Sequence, residues 1–269
     1  MRLKLAGGGA ILAVVFIMAL AGVFVSADDA LRIAMAARLQ PPALEHLLGT
    51  DALGRDTLAG LLVGTRVTVQ MSLTATLVAF AVGLPPGWLA ARFSRRLGAA
   101  VRVVVYVFFI APDQLLAPSW PSRILMAVCS TNLILPGGLL AVMAVVLVQP
   151  GWFTTAIVLG VFFAPAIAYF AYGVLEAKTE HSWLALTRLA TSLFAWSALA
   201  AGTLDMLGLG VRPPAPSWGS MIGEHRYAGY SWSTLVPAVC LLLTCVGAFL
   251  VGDGLSVSRH EAEAPATAF

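Results

Sequence analysis

Residues 227–252 read YAGYSWSTLVPAVCLLLTCVGAFLVG, without one Asp, Glu, Lys or Arg. A helix that crosses a bilayer needs about 20 predominantly apolar residues, because the hydrocarbon core is roughly 30 Å thick and each residue rises about 1.5 Å. This stretch is long enough to cross once. Residues 5–26 and 67–91 are likewise charge-free and of spanning length. Residues 124–175 are long enough to cross twice: Pro136, Gly137 and Gly138 break the first part, and Gln149-Pro150-Gly151 falls where a turn between two spans belongs. A sixth span is expected at residues 189–211, with Asp205 inside it. Residues 103–117 form a seventh apolar stretch, but its charge-free part stops at Asp113, short of a crossing.

The expected fold is therefore all-α: a polytopic membrane bundle of about six transmembrane helices, with one extra hydrophobic segment, 97–122, of open placement. Composition agrees, with 59% of the 269 residues hydrophobic and 11% charged, where a soluble domain carries about 25% charged. The expected division is a first transmembrane helix at 1–26, an outer segment with an amphipathic helix at 27–66, the main transmembrane domain at 67–255 and a cytoplasmic tail at 256–269.

Basic residues gather at span ends. Arg2 and Lys4 precede the first span, and Arg92, Arg95, Arg96 and Arg102 follow the second. By the positive-inside rule the amino terminus is then cytoplasmic and residues 27–66 are outside, although Arg32, Arg38, Arg55 and Arg66 run against the bias. The net charge of +3 forms no basic patch on a soluble face, so nucleic acid is not an expected partner. Val25-Ser26-Ala27 offers the small residues of a leader cleavage site, but the apolar run before it exceeds the usual 7–15 residues, and an uncleaved first span is the simpler reading.

Enzyme chemistry finds little support. No Gly-rich phosphate loop with its Lys and Ser or Thr is present, so no nucleotide cofactor is expected; Gly7-Gly8-Gly9 lies in the first span and reads as a packing feature. His46, His181, His225 and His260 are scattered, with no pair at metal-ligand spacing. Cys129, Cys240 and Cys245 lie in apolar runs and read as packing residues. Asp205 is the one acidic residue well inside a span. Charge there is costly and faces a cavity or a partner, which makes Asp205 a candidate for a translocation path; the blander reading places it near the outer helix end, reaching interfacial water.

The stretch His46-Leu47-Leu48-Gly49-Thr50-Asp51-Ala52-Leu53-Gly54-Arg55-Asp56, continuing to Gly64-Thr65-Arg66, resembles a signature of the dipeptide, oligopeptide and nickel family of ABC importer permeases, in its C-type subunit. On the residues alone, Gly49 and Gly54 permit tight turns, Asp51 and Asp56 can cap the following helix, and Leu58, Leu61 and Leu62 lay an apolar stripe along it. Leu207-Gly208-Leu209-Gly210-Val211-Arg212-Pro213-Pro214 and Pro216-Ser217-Trp218-Gly219-Ser220-Met221 are similar to the family's outer loop between its last two spans; the prolines stop the helix and Trp218 suits the membrane interface. Gly252-Asp253-Gly254-Leu255 closes the final span as in the family.

The resemblance implies a bundle of about six helices that pairs with a second, homologous permease subunit, with substrate passing along their interface. It further implies two ABC ATPase subunits on the cytoplasmic side, a periplasmic or lipid-anchored solute-binding protein outside, and residence in the bacterial inner membrane. ATP hydrolysis would reside in the partner subunits, so this chain would be no enzyme.

Two departures from the family pattern stand out. Residues 124–140 look like the family's third span, which makes 97–122 resemble an insertion, yet Pro112-Asp113-Gln114-Leu115-Leu116-Ala117 also resembles the proline-centred part of that span. The insertion could cross, re-enter or lie on the surface, and only the last two keep the family's sidedness downstream. The cytoplasmic coupling loop is also short. Trp183-Leu184-Ala185-Leu186-Thr187-Arg188 resembles only its start and passes directly into Leu189-Ala190-Thr191-Ser192, which resembles the fifth span. Glu176, Trp183, Leu184, Leu186 and Arg188 are the coupling candidates. The expected function is a permease subunit of an importer for peptides or similar small solutes, nickel among them; the alternative is a degenerate, poorly coupled paralogue acting as scaffold or regulator.

Overall fold

The structure is a computed structural model and describes residues 2–93, 151–176, 182–212, 215–225 and 232–262. Seven α-helices make up these parts: α1 (Arg2–Phe24), α2 (Ala27–Leu31), α3 (Thr57–Phe93), α4 (Trp152–Glu176), α5 (Ser182–Met206), α6 (Trp218–His225) and α7 (Trp232–Ala262). Five of them, α1, α3, α4, α5 and α7, are long and apolar enough to cross a membrane. Among the described residues the only β pairing is an isolated bridge between Thr50 and Asp56. The chain is an all-α, multi-pass membrane protein. The 97–122 segment, the first part of 124–175 and the arginines at 95, 96 and 102 lie outside the described residues.

Small residues set how the helices pack. Water gives no hydrophobic drive between helices in lipid, so close backbone approach and dispersion must hold them. Ala75, Ala79, Gly83 and Gly87 recur every fourth residue of α3, and Ala156, Gly160, Ala164 and Ala168 every fourth residue of α4. A Cβ on Gly83 would sit 2.3 Å from the Ala164 carbonyl oxygen, one on Gly87 2.4 Å from that of Ala168, and one on Gly160 2.5 Å from Val78 Cβ. The paired numbers rise together, so α3 and α4 run parallel and begin on the same side of the membrane. The α5–α7 contacts run the other way, with Gly202 against Leu241 and Gly252 against Thr191. α1 is also antiparallel to α7: Gly8 meets Gly247 and Leu250, and Gly254 meets Leu5. Of the glycine triplet at 7–9, only Gly8 is a contact residue.

Three element boundaries correct the sequence expectations. The amphipathic stripe at Leu58, Leu61 and Leu62 is not a separate helix, because α3 runs unbroken for 37 residues from Thr57. At about 1.5 Å per residue it is about 55 Å long, well beyond one hydrocarbon core. The fifth span begins at Ser182 and ends at Met206 rather than covering 189–211, so the coupling candidates Trp183, Leu184, Leu186 and Arg188 are the first turns of the span helix itself. α7 continues past Gly252-Asp253-Gly254 to Ala262, so this motif ends the apolar span but not the helix. Four exposed tryptophans lie towards helix ends, Trp152 and Trp232 at the starts of α4 and α7 on one side and Trp88 and Trp183 towards the other, while Trp196 is exposed midway along α5.

Candidate functional site

The first two signature stretches dock on each other at one end of the bundle. Gly49 and Gly54 have φ of +71° and +75°, a region that favours glycine. Side chains there would also collide, since a Cβ on Gly49 would lie 2.4 Å from the Gln40 carbonyl oxygen and one on Gly54 would strike that of Ala34. Thr50 is buried; its hydroxyl donates to the Ala37 carbonyl and accepts from the Gln40 amide. Asp51 was expected to cap the following helix, but its Oδ1 accepts from the Leu53 and Arg55 amides, both at 2.8 Å, and so closes the loop on itself. Asp56 is the cap: its Oδ1 accepts from the Leu58 amide at 2.9 Å, two residues into the helix. His46 Nδ1 faces the other oxygen of Asp56 at 3.6 Å.

This loop meets the 207–224 stretch through charge, indole and backbone. Arg55 pairs with Glu224 of α6 at 3.5 Å. Gly64 faces Ser217 and Met221, where a Cβ would lie 3.3 Å from the Ser217 backbone; Arg66, two residues on, is half-buried. Trp218 does not sit at the lipid interface as expected. It is wholly buried, its Nε1 donates to Thr65 Oγ1 at 3.1 Å and its amide donates to Thr68 Oγ1 at 3.2 Å. The physical reason is that a buried indole N–H needs an acceptor, and α3 supplies hydroxyls at the matching turn. Ser217 and Ser220 form a reciprocal cap at the start of α6, each hydroxyl accepting the other's amide, at 2.9 and 3.1 Å. That Ser-x-x-Ser spacing is legible in the sequence.

Asp205 is buried against the same loop rather than reaching interfacial water. Its Oδ1 accepts from the Val211 amide at 2.7 Å. Gly210 and Gly219 leave it no spare room, since a Cβ at Gly210 would fall on Oδ1 itself and one at Gly219 would lie 2.6 Å from Asp205 Cβ. Gly208 takes a positive φ of +76° to turn the chain out of α5. Pro213 and Pro214 lie outside the described residues, and Pro216 is half-buried ahead of the Ser217 cap.

Below this end, α3 carries Thr65, Thr68, Ser72 and Thr76 on one buried face. Ser72 and Thr76 donate back to carbonyls four residues earlier, and Ser197 of α5 reaches the Ser72 carbonyl at 3.1 Å. The hydroxyls of Ser72, Thr76 and Ser197 are thereby satisfied inside the helix pair, as hydrocarbon surroundings demand, while those of Thr57 in α3 and Thr155 in α4 are buried without a hydrogen-bond partner. The third signature stretch lies at the opposite end. Asp253 pairs with Arg188 at 3.5 Å, both about half exposed, while Trp183 is 60% exposed and Leu184 and Leu186 are half-buried. Glu176 ends α4, and five residues, 177–181, separate it from α5. Among the described residues no group of His, Cys, Asp and Glu could hold a metal ion.

Five helices long and apolar enough to span a membrane, packed on one another through small residues, define a multi-pass membrane protein. The chain is 30% identical to a Brucella suis protein named as a peptide transport system permease, over 81% of this chain and 74% of that protein. It is 27% identical to the glutathione transport system permease protein GsiD of Pectobacterium atrosepticum, over 80% and 72% of the two chains. It is 28% identical to the di/tripeptide transport system permease protein DppC of Pseudomonas aeruginosa, over 78% and 70%. No protein-family model matches the chain. This protein belongs to the family of ABC importer permeases of peptide transport systems.

Proposed function

We propose that the chain forms half of the translocation path of an ATP-driven importer in a bacterial inner membrane, taking up peptides or similar small solutes. The observation that carries this reading is the match over about four-fifths of the chain to permease subunits of peptide and glutathione transport systems. Its partners would be a second homologous permease, two ABC ATPase subunits that hydrolyse the ATP, and a periplasmic or lipid-anchored solute-binding protein. Asp205, held against the 207–211 loop, would act here as a brace for the outer end of the path. Purification from membranes in mild detergent tests the assembly: mass spectrometry should find a second permease and two ATPases travelling with the chain. Recovery of the chain without either kind of subunit would refute it.

A second reading, a paralogue that assembles but couples poorly, draws on one observation. Four of the coupling candidates, Trp183, Leu184, Leu186 and Arg188, lie in the first turns of α5, and Glu176 ends α4 with five residues between, where the resemblance implies a separate amphipathic helix. Uptake of labelled peptides by membranes holding the whole complex separates the two readings, since only a coupled permease moves solute in step with ATP hydrolysis.

A further inference from the structure

Gly252, Asp253 and Gly254 are consecutive in α7, so their side-chain directions fan out by about 100° per residue. Each meets something different. A Cβ at Gly252 would lie 2.8 Å from Thr191 Oγ1 and 3.6 Å from the Arg188 carbonyl oxygen, which brings the α7 backbone hard against α5. A Cβ at Gly254 would lie 3.2 Å from Leu5 Cβ, which brings it against α1. Asp253, between the two, reaches Arg188 at 3.5 Å. Arg188 stands about one turn beyond Trp183 and Leu184 on the same helix, and two residues beyond Leu186. We infer that residues 252–254 are an inner clamp, in which Asp253 and Arg188 are positioning residues that make the cytoplasmic ends of α5, α7 and α1 move as one body when an ATPase pushes on α5.

The division of labour follows from the magnitudes. A half-exposed ion pair adds little cohesion, so the two glycine contacts hold the helices together. The pair instead fixes the rotation of α5 on α7, because the nearest atom at Gly252 is a side-chain hydroxyl, Thr191 Oγ1, and that contact alone would tolerate some turning. Loss of the charge should therefore affect the transmission of movement more than the stability of the fold. The inference rests on the transport reading proposed above.

The test uses the complete complex, purified with its ATPases, in a background with Cys129, Cys240 and Cys245 replaced. Asp253→Asn and Arg188→Gln should each lower ATP hydrolysis about two- to fivefold, the span of a surface ion pair, with yield and melting temperature unchanged. The exchange Arg188→Asp with Asp253→Arg should restore the rate. The Thr191→Cys, Gly252→Cys pair, whose positions the structure brings into contact, should form a disulfide equally well without nucleotide and in the vanadate-trapped state, and hydrolysis should survive the crosslink. Single variants at the unaltered rate, an exchange that restores nothing, or a crosslink that stops hydrolysis would each overturn the clamp. An unaltered complex that hydrolyses no ATP would overturn the transport reading, and the clamp with it.

Discussion

Trp218 does at one residue what the signature stretches do together: it joins the outer loop to α3. Its indole N–H and its backbone amide end on hydroxyls three residues apart, Thr65 and Thr68, on the same face of that helix. Thr65 also donates to the Leu61 carbonyl at 2.6 Å, so it stays satisfied if the indole is removed. Trp218→Phe should therefore cost the one hydrogen bond, about 0.5–1.5 kcal/mol, plus the small part of the ring volume it gives up, while Trp218→Ala should cost about 3–5 kcal/mol by opening a larger cavity. Thermal unfolding in detergent checks the gap between the two, and equal losses would mean that the indole volume contributes nothing. At Asp205 the requirement is an acceptor rather than a charge, because the bonded partner is the Val211 amide. Asp205→Asn should thus keep most of the stability, whereas Asp205→Leu should lose about 1–3 kcal/mol by leaving that amide unpaired. Gly210→Ala should resemble Asp205→Leu, since its methyl would take the place of the carboxylate oxygen. A stable Gly210→Ala protein would show that the loop is not held in this way.

At the scale of elements, the parallel contact between α3 and α4 is the tightest test of the packing argument. Gly83 and Gly160 each have a neighbour within 2.5 Å of where a Cβ would stand, so Gly83→Leu and Gly160→Leu should separate the helices and cost at least about 1–3 kcal/mol each. Leu77→Ala, on the lipid-facing side of the same helix at 68% exposure, should cost little. Loss of folded protein by fluorescence-detected size exclusion should follow the first two and not the third. Most of the described spans were legible as charge-free runs, because an ionised group in hydrocarbon is too costly to be common. Their ends were less legible for the same reason. Arg66 truncated the apparent start of α3, though α3 begins at Thr57 and holds Arg66 half-buried; Arg188 truncated α5, though it lies on the helix and pairs with Asp253. The four-residue recurrence in α3 and α4 was present in the sequence, but small residues are common in spans, and a recurrence reveals a contact only once the opposing helix is known. Trp218 was misplaced because an indole suits a lipid interface and a buried hydroxyl acceptor equally well, and only the α3 partner decides.

At the scale of the whole molecule, the helix directions constrain which ends face the same water. α3 and α4 start on one side, α5 starts on the other, and the exposed Trp183 stands at that second side. With the amino terminus cytoplasmic, cysteines placed at Gln40 and Gly151 should react in intact cells with a thiol reagent that cannot cross the membrane, and one at Thr187 should not. Labelling of Gln40 without Gly151 would break the parallel arrangement, and labelling of Thr187 alone would invert it. On the proposed sidedness and assembly, the start of α5 would be where a cytoplasmic ATPase touches this chain. Trp183 is 60% exposed there, with Leu184 and Leu186 beside it. A contact built on one helix end buries less apolar surface than one built on an independent helix. At about 25 cal/mol per Å², a deficit of roughly 100–200 Å² forfeits about 2.5–5 kcal/mol before entropy is counted, enough to make a stable dock transient. The expected outcome is a low ratio of solute moved to ATP hydrolysed, falling further in Trp183→Ala and less in Leu186→Ala, because Trp183 presents more surface to a partner. Uptake and hydrolysis measured together on reconstituted complex give that ratio. A ratio that both variants leave unchanged would place the coupling contact elsewhere on the chain.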